Sequence, residues 1–312
     1  MKELKISGFS MCRNAVKLYY PIKEAIESIL PICDEFIVAV GKGDQDDSTR
    51  EVIEGIGSNK VKIIDTIWEE KDFVNGRVNA VQTNIALEQC SGDWCFYLQA
   101  DEVVHEKYLP VIKDRCLELL DDQEVEGLVF DYRHFWGDYD HYQINHGWYK
   151  REVRIVRNNI GIISYRSAQG FRRNGEERVK AAHANAEIFH YGWVRPPRYM
   201  QSKTKAFNTL HWGKQRAEDH YRSAPTEFDY GPLNKLPKYT GTHPQVMNKL
   251  IKNMDWQEQL QYTGEPSPER EQHKHERLKA RILTWLEQRL EKKIGGKIYL
   301  SGYRNYRLIG NK

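Results

Sequence analysis

Over residues 1–132, apolar positions alternate between strand-like runs and helical spacing, and this alternation predicts the fold class. Strands are predicted at 4–9, 35–40, 61–65, 94–99 and 127–132. Helices are predicted between them, beginning near Pro21, Ser48, Arg77 and Leu109. Strands and helices in this rhythm favour βαβ units. We therefore expect an α/β protein with a mainly parallel twisted sheet and flanking helices.

The pattern changes after residue 132, where aromatic and charged residues become dense. Further strands are predicted at 152–156 and 186–193, and a helix after the two prolines at 196 and 197. A Pro/Gly-rich stretch at 224–244 is typical of a loop, and Ser267 and Pro268 are suited to begin a final helix. Its apolar stripe is Leu278, Ile282, Trp285, Leu286 and Leu290, interspersed with Lys274, Arg281, Arg289, Lys292 and Lys293.

Charge is unevenly distributed along the 312 residues. The net charge is +3, but residues 1–234 carry −5 and the chain from Lys235 onward carries +8. A basic tail indicates an anionic partner, although a solvated helical face is an equally ordinary explanation. The five cysteines include no CxxC pair, which favours reduced thiols in the cytoplasm. With no signal-like or membrane-spanning apolar stretch, we expect a cytoplasmic protein that is at most peripheral to the inner face of a membrane.

An acid pair follows the predicted strand at 94–99. The stretch CFYLQADEVVHE, residues 95–106, leads from this strand directly into Asp101 and Glu102. Ligands of such sheets bind beyond the carboxyl ends of the strands, and Mg²⁺ and Mn²⁺ prefer carboxylate and phosphate oxygens. The pair is therefore a candidate metal site. Alternatively, the two acids only begin the next helix, where they favour its dipole.

Two further polar features lie near the same predicted edge. The loop GKGDQDDST, residues 41–49, contains Asp44, Asp46 and Asp47, which are candidates to accept hydrogen bonds from a base or ribose. The alternative is an ordinary turn followed by a helix cap. Arg77 is a candidate to bind a diphosphate through its guanidinium, with a surface salt bridge as the alternative.

Taken together, these segments resemble glycosyltransferases with the GT-A fold, specifically the family 2 type. That family has an acidic loop after a strand, then an Arg/Asn-rich helix leading into a strand that ends L-D-A-D-E. Here GKGDQDDST, GRVNAVQTNIALEQCSGDWCFYLQ and LQADE follow one another in that order. HYGWVRPP at 190–197 and GTHPQVM at 241–247 are similar to segments of one bacterial branch.

The resemblance covers roughly residues 4–200 and implies a domain organisation. A Rossmann-like GT-A domain would occupy residues 1–200, with a donor-binding half at 1–105 and an acceptor half at 106–200. A helical, basic C-terminal extension would follow at 201–312.

The resemblance also implies an activity. A sugar would pass from a UDP- or GDP-sugar to a hydroxyl of a glycan or glycolipid acceptor, in polysaccharide or lipid-linked glycan assembly, with inversion. Asp101 would bind the Mn²⁺ or Mg²⁺ cofactor with His190 as a second ligand, since the family often has a histidine at this later strand end. Gln99 replaces the first aspartate of the DxD signature and adds no negative charge, so we expect weaker metal binding. The alternative for His190 is a satisfied core histidine.

The catalytic base and the acceptor site are expected in the aromatic segment after residue 132. Glu152 is the first candidate for the base and Asp138 the second, with pairing to a neighbouring arginine as the alternative for each. Trp136, Trp148 and Trp193 are candidates to stack on an acceptor sugar, or else are core residues.

Other functions remain open at this stage. One is a sugar-phosphate nucleotidylyltransferase, which usually has a Gly-rich N-terminal loop with Arg and Lys; SGFSMCRN is a poor version of it. Another is a non-catalytic nucleotide- or nucleic-acid-binding protein, although the acidic first half argues against nucleic acid. The basic final helix is suited to anionic lipid, to docking on the body or to pairing with another subunit.

Overall fold

The computed structural model describes residues 3–268, 270, 272–273, 276–296, 298, 300 and 304–309. The strands are β1 (Ile6–Cys12), β2 (Glu35–Gly41), β3 (Val61–Thr66), β4 (Trp94–Tyr97), β5 (Glu102–Val104), β6 (Gly127–Trp136), β7 (Tyr142–Gln143), β8 (Arg151–Arg157), β9 (Ile162–Tyr165), β10 (Gly170–Arg173), β11 (Glu177–Trp193) and β12 (Tyr306–Leu308). The α-helices are α1 (Ile22–Ile29), α2 (Thr49–Glu54), α3 (Arg77–Leu87), α4 (Leu109–Glu118), α5 (Pro197–Trp212), α6 (Lys214–Tyr221), α7 (Asn248–Lys252) and α8 (Leu278–Ile294).

The strands form one mixed sheet in the order β3-β2-β1-β4-β8-β6-β11-β10-β9. Strands β1 to β4 pair only in parallel with one another, and β6 pairs in parallel with β11. Strand β8 lies between β4 and β6 and pairs antiparallel with both. The predicted fold class, an α/β protein with a mainly parallel sheet and flanking helices, is confirmed.

Alternation along the strands divides the core between the two faces of the sheet. Phe36, Val38 and Val40 of β2 pack on one face, whereas Ile37 and Ala39 pack on the other. Helices α1 and α4 cover the first face and α3 covers the second. Because both faces of β2 are buried, its residues 36–40 form a continuous apolar run and not an alternating one.

Most elements agree with the sequence prediction to within a few residues. The difference is largest at the final helix, which begins at Leu278 instead of at Ser267 or Pro268. Upstream of it, the buried guanidinium of Arg270 binds Glu276 and the carbonyl oxygen of Tyr230. Lys274 lies outside the described residues.

Strand β11 connects the two halves of the sheet and is longer than predicted. It pairs with β5 at His190 opposite Glu102, and with β6 at His190 opposite His134. Its pairing with β6 shifts register twice, between His183 and Glu187 and again between His190 and Trp193. The last strand, β12, pairs in parallel with the first part of β11. Residues beyond 200 therefore contribute to the sheet, and the division of the chain at residue 200 stays a prediction.

No helix within the described residues is both long enough and apolar enough to cross a lipid bilayer.

Candidate active site

A cleft of about 840 Å³ opens at the carboxyl ends of β1 and β4. The loop after β1 forms one side, the end of β11 forms its floor, and α5 runs along the opposite side. Residues from Lys203 to Leu210 of α5 line it, and the end of α5 is bonded to the loop before α3 through Gly76 and Leu210. Cavities of ~300–1,000 Å³ are usual for small-molecule and cofactor sites.

Asp101 and Glu102 lie in different environments, although they are neighbours in the chain. Asp101 lines the cleft, and its main chain is bonded to β11 through the amide of Tyr191. Glu102 is fully buried below it, where Arg154 donates two hydrogen bonds of 2.7 Å to its carboxylate and Tyr132 donates a third. Glu102 therefore holds the turn after β4 in place, and Asp101 is the acid of this pair that can meet a ligand.

Two hydrogen-bonded histidines determine which nitrogen of His190 faces Asp101. Nε2 of His134 donates to the carbonyl oxygen of Tyr149 at 2.7 Å, because a carbonyl can only accept. Nδ1 of His134 then accepts from Nδ1 of His190 at 3.0 Å. Burial lowers the pKa of each ring to about 3, so both are neutral. His190 therefore presents an unprotonated Nε2, 3.7 Å from Oδ2 of Asp101.

These two atoms fit a divalent cation. A neutral imidazole nitrogen and a carboxylate oxygen are both metal ligands, and Nε2 of His190 has no proton to donate to Asp101. Gly192 keeps the space beside them open, since a Cβ there would lie 2.6 Å from Oδ2 of Asp101 and 2.7 Å from Nε2 of His190. In the described part of the chain no group of three or more His, Cys, Asp or Glu side chains is placed to hold a metal. The remaining ligands would have to come from substrate oxygens or water.

Two basic side chains, the buried Arg195 and the partly buried Lys203, lie behind this pair. Lys203 Nζ and the guanidinium of Arg195 both donate to the carbonyl oxygen of Gly192, at 2.7 and 3.1 Å. Burial, and secondly the charge of Arg195, lower the pKa of Lys203 to about 7. Lys203 also lies 4.9 Å from the ring centre of Trp193. Lys203 of α5 therefore lines the cleft as a group that changes its charge near neutral pH and that a bound anion would keep protonated.

The acidic loop after β2 places its three aspartates differently. Asp44 lines the cleft, accepts a hydrogen bond from Lys17 at 2.8 Å and lies near Arg13; the bond from Lys17 lowers its pKa. Asp46 is exposed outside the cleft lining and binds the same lysine. Asp47 accepts from the amide and hydroxyl of Thr49, so it holds the turn that leads into α2.

Gln99 and Arg77 are also separated by the fold. Gln99 lines the cleft beside Asp101, and its side-chain nitrogen donates to the carbonyl oxygen of Ala168 at 3.1 Å. Arg77 has a largely exposed side chain 3.5 Å from Asp72 and is outside the cleft lining. Asn79, two residues further along α3, does line the cleft.

The three candidate tryptophans lie together at the cleft. Trp136 and Trp193 stack with ring centres 4.8 Å apart, and Trp148 meets both edge-on at 5.7 Å. Trp136 is buried and donates to the carbonyl oxygen of Tyr230, so it supports the other two. Trp148 and Trp193 are only partly buried, and both line the cleft.

Neither candidate base lines the cleft. Glu152 is buried in β8, where Asn305 donates to it at 2.7 Å and burial raises its pKa to about 7. Asp138 is buried in the turn between β6 and β7, and His141 lies 2.9 Å from its carboxylate. Their role as the base stays a prediction.

Sequence reasoning missed several residues of the cleft. Arg13 and Asn14 follow β1 directly, so the strand-end rule applied to the first strand would have found them. Trp68 follows β3 in the same way, and its indole nitrogen is buried without a hydrogen-bond partner among the described residues. Lys203 and His134 carry no such signal, because only the packing of α5 and the pairing of β6 with β11 bring them to the site.

No family model and no curated protein matches this chain. Among solved structures it is similar to S. aureus TarS residues 1–349, at 13% identity and a TM-score of 0.37, over 66% of this chain and 65% of that one. It is also similar to glucosyl-3-phosphoglycerate synthase from Mycobacterium tuberculosis in complex with Mn²⁺ and UDP-glucose, at 18% identity and a TM-score of 0.29, over 41% of this chain and 43% of that one.

Both matched proteins are GT-A glycosyltransferases, the class that the sequence motifs resemble. The matches cover less than two thirds of each of these structures. Similarity at this level carries no information about substrates or reaction.

Proposed function

We propose that this protein is a glycosyltransferase that moves a sugar from a UDP- or GDP-sugar to an acceptor hydroxyl, with Mn²⁺ or Mg²⁺ as cofactor. One observation carries the proposal. The Asp101 carboxylate and the unprotonated Nε2 of His190 lie 3.7 Å apart at a strand end, in a cleft large enough for a nucleotide sugar. Gly192 leaves open the space that an ion and its phosphate ligands need.

A bound divalent cation would supply charge neutralisation for the diphosphate as it leaves. Asp101 and His190 would hold that ion, and the lone pair of His190 is oriented for the purpose by its bond to His134. Lys203 would donate hydrogen bonds to phosphate oxygens from the α5 side of the cleft. Charge that builds on the leaving group is then met by positive groups, which favours the transition state over the ground state.

The nucleoside would lie toward the loops after β1, β2 and β3. Asp44 is placed to accept from a ribose or base, and Arg13 lies 3.7 Å from its carboxylate. Trp68 offers an aromatic face and a buried N–H donor in the same region of the cleft.

The acceptor would enter beside Trp148 and Trp193. We extend the proposal to an inverting reaction of the family 2 type, on a glycan or lipid-linked glycan acceptor in polysaccharide assembly. In that reaction the acceptor oxygen bonds to the anomeric carbon as the bond to the diphosphate breaks, and a base takes the hydroxyl proton. The five free, buried cysteines support a reducing compartment such as the cytoplasm.

Titration calorimetry with a panel of UDP- and GDP-sugars, with and without Mn²⁺, tests this proposal. We expect binding that requires Mn²⁺, and at least about a tenfold loss of affinity in Asp101→Ala, because one of the two protein ligands is gone. Asp114→Ala is the matched control, since Asp114 is exposed on α4 away from the cleft. The hit from this panel is then assayed for sugar transfer to glycan acceptors.

Unchanged nucleotide-sugar affinity in Asp101→Ala would contradict the proposed site. Release of pyrophosphate from a nucleoside triphosphate and a sugar phosphate would replace the proposal with a nucleotidylyltransferase. Salt-sensitive binding of nucleic acid, with no affinity for any nucleotide sugar, would instead indicate a non-catalytic binding protein.

A further inference from the structure

Helix α8 packs against the body of the protein through its polar side. Thr284 accepts from the amide of His146 at 2.8 Å, and Glu287 is bonded to the ring of the same histidine at 2.9 Å. Lys150 Nζ lies 3.2 Å from Glu287 and 2.6 Å from Glu291. Both acids of this helix are thereby used in attaching it to the body.

The opposite side of α8 combines apolar and basic residues, and the structure describes this helix in full. We call it the outward face, and its members, all exposed, are Leu278, Lys279, Arg281, Ile282, Trp285, Leu286, Arg289, Lys292 and Lys293. Leu278 is 71% exposed, and Ile282 and Trp285 are each 50% exposed. No acidic residue belongs to this face. The guanidinium of Arg289 lies 4.1 Å from the ring centre of Trp285.

This arrangement is the reverse of an ordinary surface helix, which buries its apolar side. Exposing four large apolar side chains to water is unfavourable unless another surface covers them. Five Lys and Arg side chains are interspersed with these four apolar ones. The surface that covers the outward face must therefore be both apolar and negatively charged. A second copy of the same face would bring cation against cation, which disfavours self-association.

We propose that the outward face of α8 binds the surface of an anionic lipid bilayer. Trp285, Ile282, Leu278 and Leu286 would enter the boundary between head groups and acyl chains, while Lys and Arg side chains meet lipid phosphates. Tryptophan is favoured at this depth because its ring is apolar and its N–H is polar.

The body-facing side of α8, opposite the outward face, is connected to the cleft through one segment of the chain. His146, which α8 holds through Thr284 and Glu287, is two residues before Trp148, and Trp148 lines the cleft. A membrane bound at the outward face would therefore be separated by α8 from the segment that carries Trp148 to the cleft. If the proposed transferase activity holds, this position suits an acceptor that is anchored in lipid; the membrane contact itself does not depend on that activity.

Flotation of the full-length protein with lipid vesicles tests the inference. We expect binding to vesicles of phosphatidylcholine mixed with phosphatidylglycerol, little binding to phosphatidylcholine alone, and weaker binding as salt is raised. The double variants Trp285→Ser/Ile282→Ser and Arg289→Glu/Lys293→Glu should each lose at least about tenfold in partition to the anionic vesicles.

A second exposed Arg–Trp pair provides the control. Arg216 lies 5.3 Å from the ring of Trp212, at the junction of α5 and α6 and outside the cleft lining. Trp212→Ser/Arg216→Glu should bind vesicles as the parent protein does. Equal loss in this control, equal binding to neutral vesicles, or no binding to anionic vesicles would each overturn the inference.

Two further readouts separate the remaining explanations. Analytical ultracentrifugation tests whether the outward face binds a second copy of the chain. We expect the parent protein and the α8 variants to have the same oligomeric state. Self-association of the parent that the α8 variants lose would instead assign the outward face to a second copy. Mn²⁺-dependent nucleotide-sugar binding should be unchanged in the α8 variants, since the substituted residues are outside the cleft lining. Vesicle binding without any nucleotide-sugar binding would leave this inference standing and remove the proposed transferase function.

Discussion

At the scale of single residues, two adjacent acids after the end of β4, Asp101 and Glu102, have different roles. Asp101 faces the cleft beside His190, whereas Glu102 is buried with Arg154 and contributes to the structure. A buried carboxylate is tolerated only when it is paired and hydrogen-bonded, and Arg154 with Tyr132 meets both needs of Glu102. Both acids were visible in the sequence, but the partners that distinguish them are more than 25 residues away in the chain.

Gly192 leads to a prediction at this scale. We expect Gly192→Ala to weaken Mn²⁺ binding by at least about tenfold, because its methyl group would lie 2.6 Å from Oδ2 of Asp101 and force the ligands apart. Electron paramagnetic resonance of free Mn²⁺ measures this without any substrate. Gly296→Ala is the control, since a Cβ at Gly296 meets nothing within 4 Å. Equal Mn²⁺ affinity in the two variants would mean that this space does not hold the ion.

At the scale of elements, β12 adds an edge to the sheet and brings Asn305 onto Glu152 of β8. The buried Glu152 has a pKa of about 7, raised chiefly by loss of water. In the unfolded chain the same group has an ordinary pKa of ~4.3. Between these two values the folded protein binds more protons than the unfolded chain, so its free energy of unfolding must fall as pH rises.

Glu152→Gln should remove this part of the pH dependence. The amide keeps an oxygen to accept from Asn305 and has no proton to lose, so the variant should exceed the parent in stability at pH 8 by about 4 kcal/mol at most, and match it near pH 4. Urea denaturation at the two pH values measures the difference. Glu176→Gln, at an exposed position in the turn before β11, should leave the pH dependence as it is. A parallel pH profile in Glu152→Gln would show that Glu152 does not titrate in this range.

At the scale of the whole molecule, the cleft is assembled from distant parts of the chain. The loop after β1 contributes Arg13 and Asn14, β11 contributes His190, and α5 contributes Lys203. A ligand that contacts all of them would link the parallel half of the sheet to α5 across the cleft. Such binding suppresses local opening on both sides.

Hydrogen exchange should reveal this linkage. With a nucleotide sugar and Mn²⁺, we expect slower amide exchange both at 11–15 and in α5, and no change in α8, which is outside the cleft lining. Asp101→Ala should lose both effects together. Protection confined to one side would contradict a donor site that spans the cleft.

Much of the fold followed from local pattern. Strands β2, β3 and β4 begin at the predicted residues, because runs such as EFIVAV have a length and composition that suit a buried strand. The start of α8 was wrong: Ser267 and Pro268 are good helix-start residues, but the contacts of Arg270 with Glu276 and Tyr230 outweigh them. Helix propensities are small free energies, and a buried guanidinium with several acceptors exceeds them.

The amino-acid sequence alone determined that this is an α/β protein and that Asp101 follows a strand at the edge where ligands bind, since strand length, apolar spacing and turn residues are local properties. Tertiary structure decided the rest: which nitrogen of His190 faces Asp101, that Lys203 reaches the same carbonyl as Arg195, and that α8 turns its basic, apolar side outward. The physical reason is that tautomer, buried charge and exposed face each depend on partners that only strand pairing and helix packing bring together.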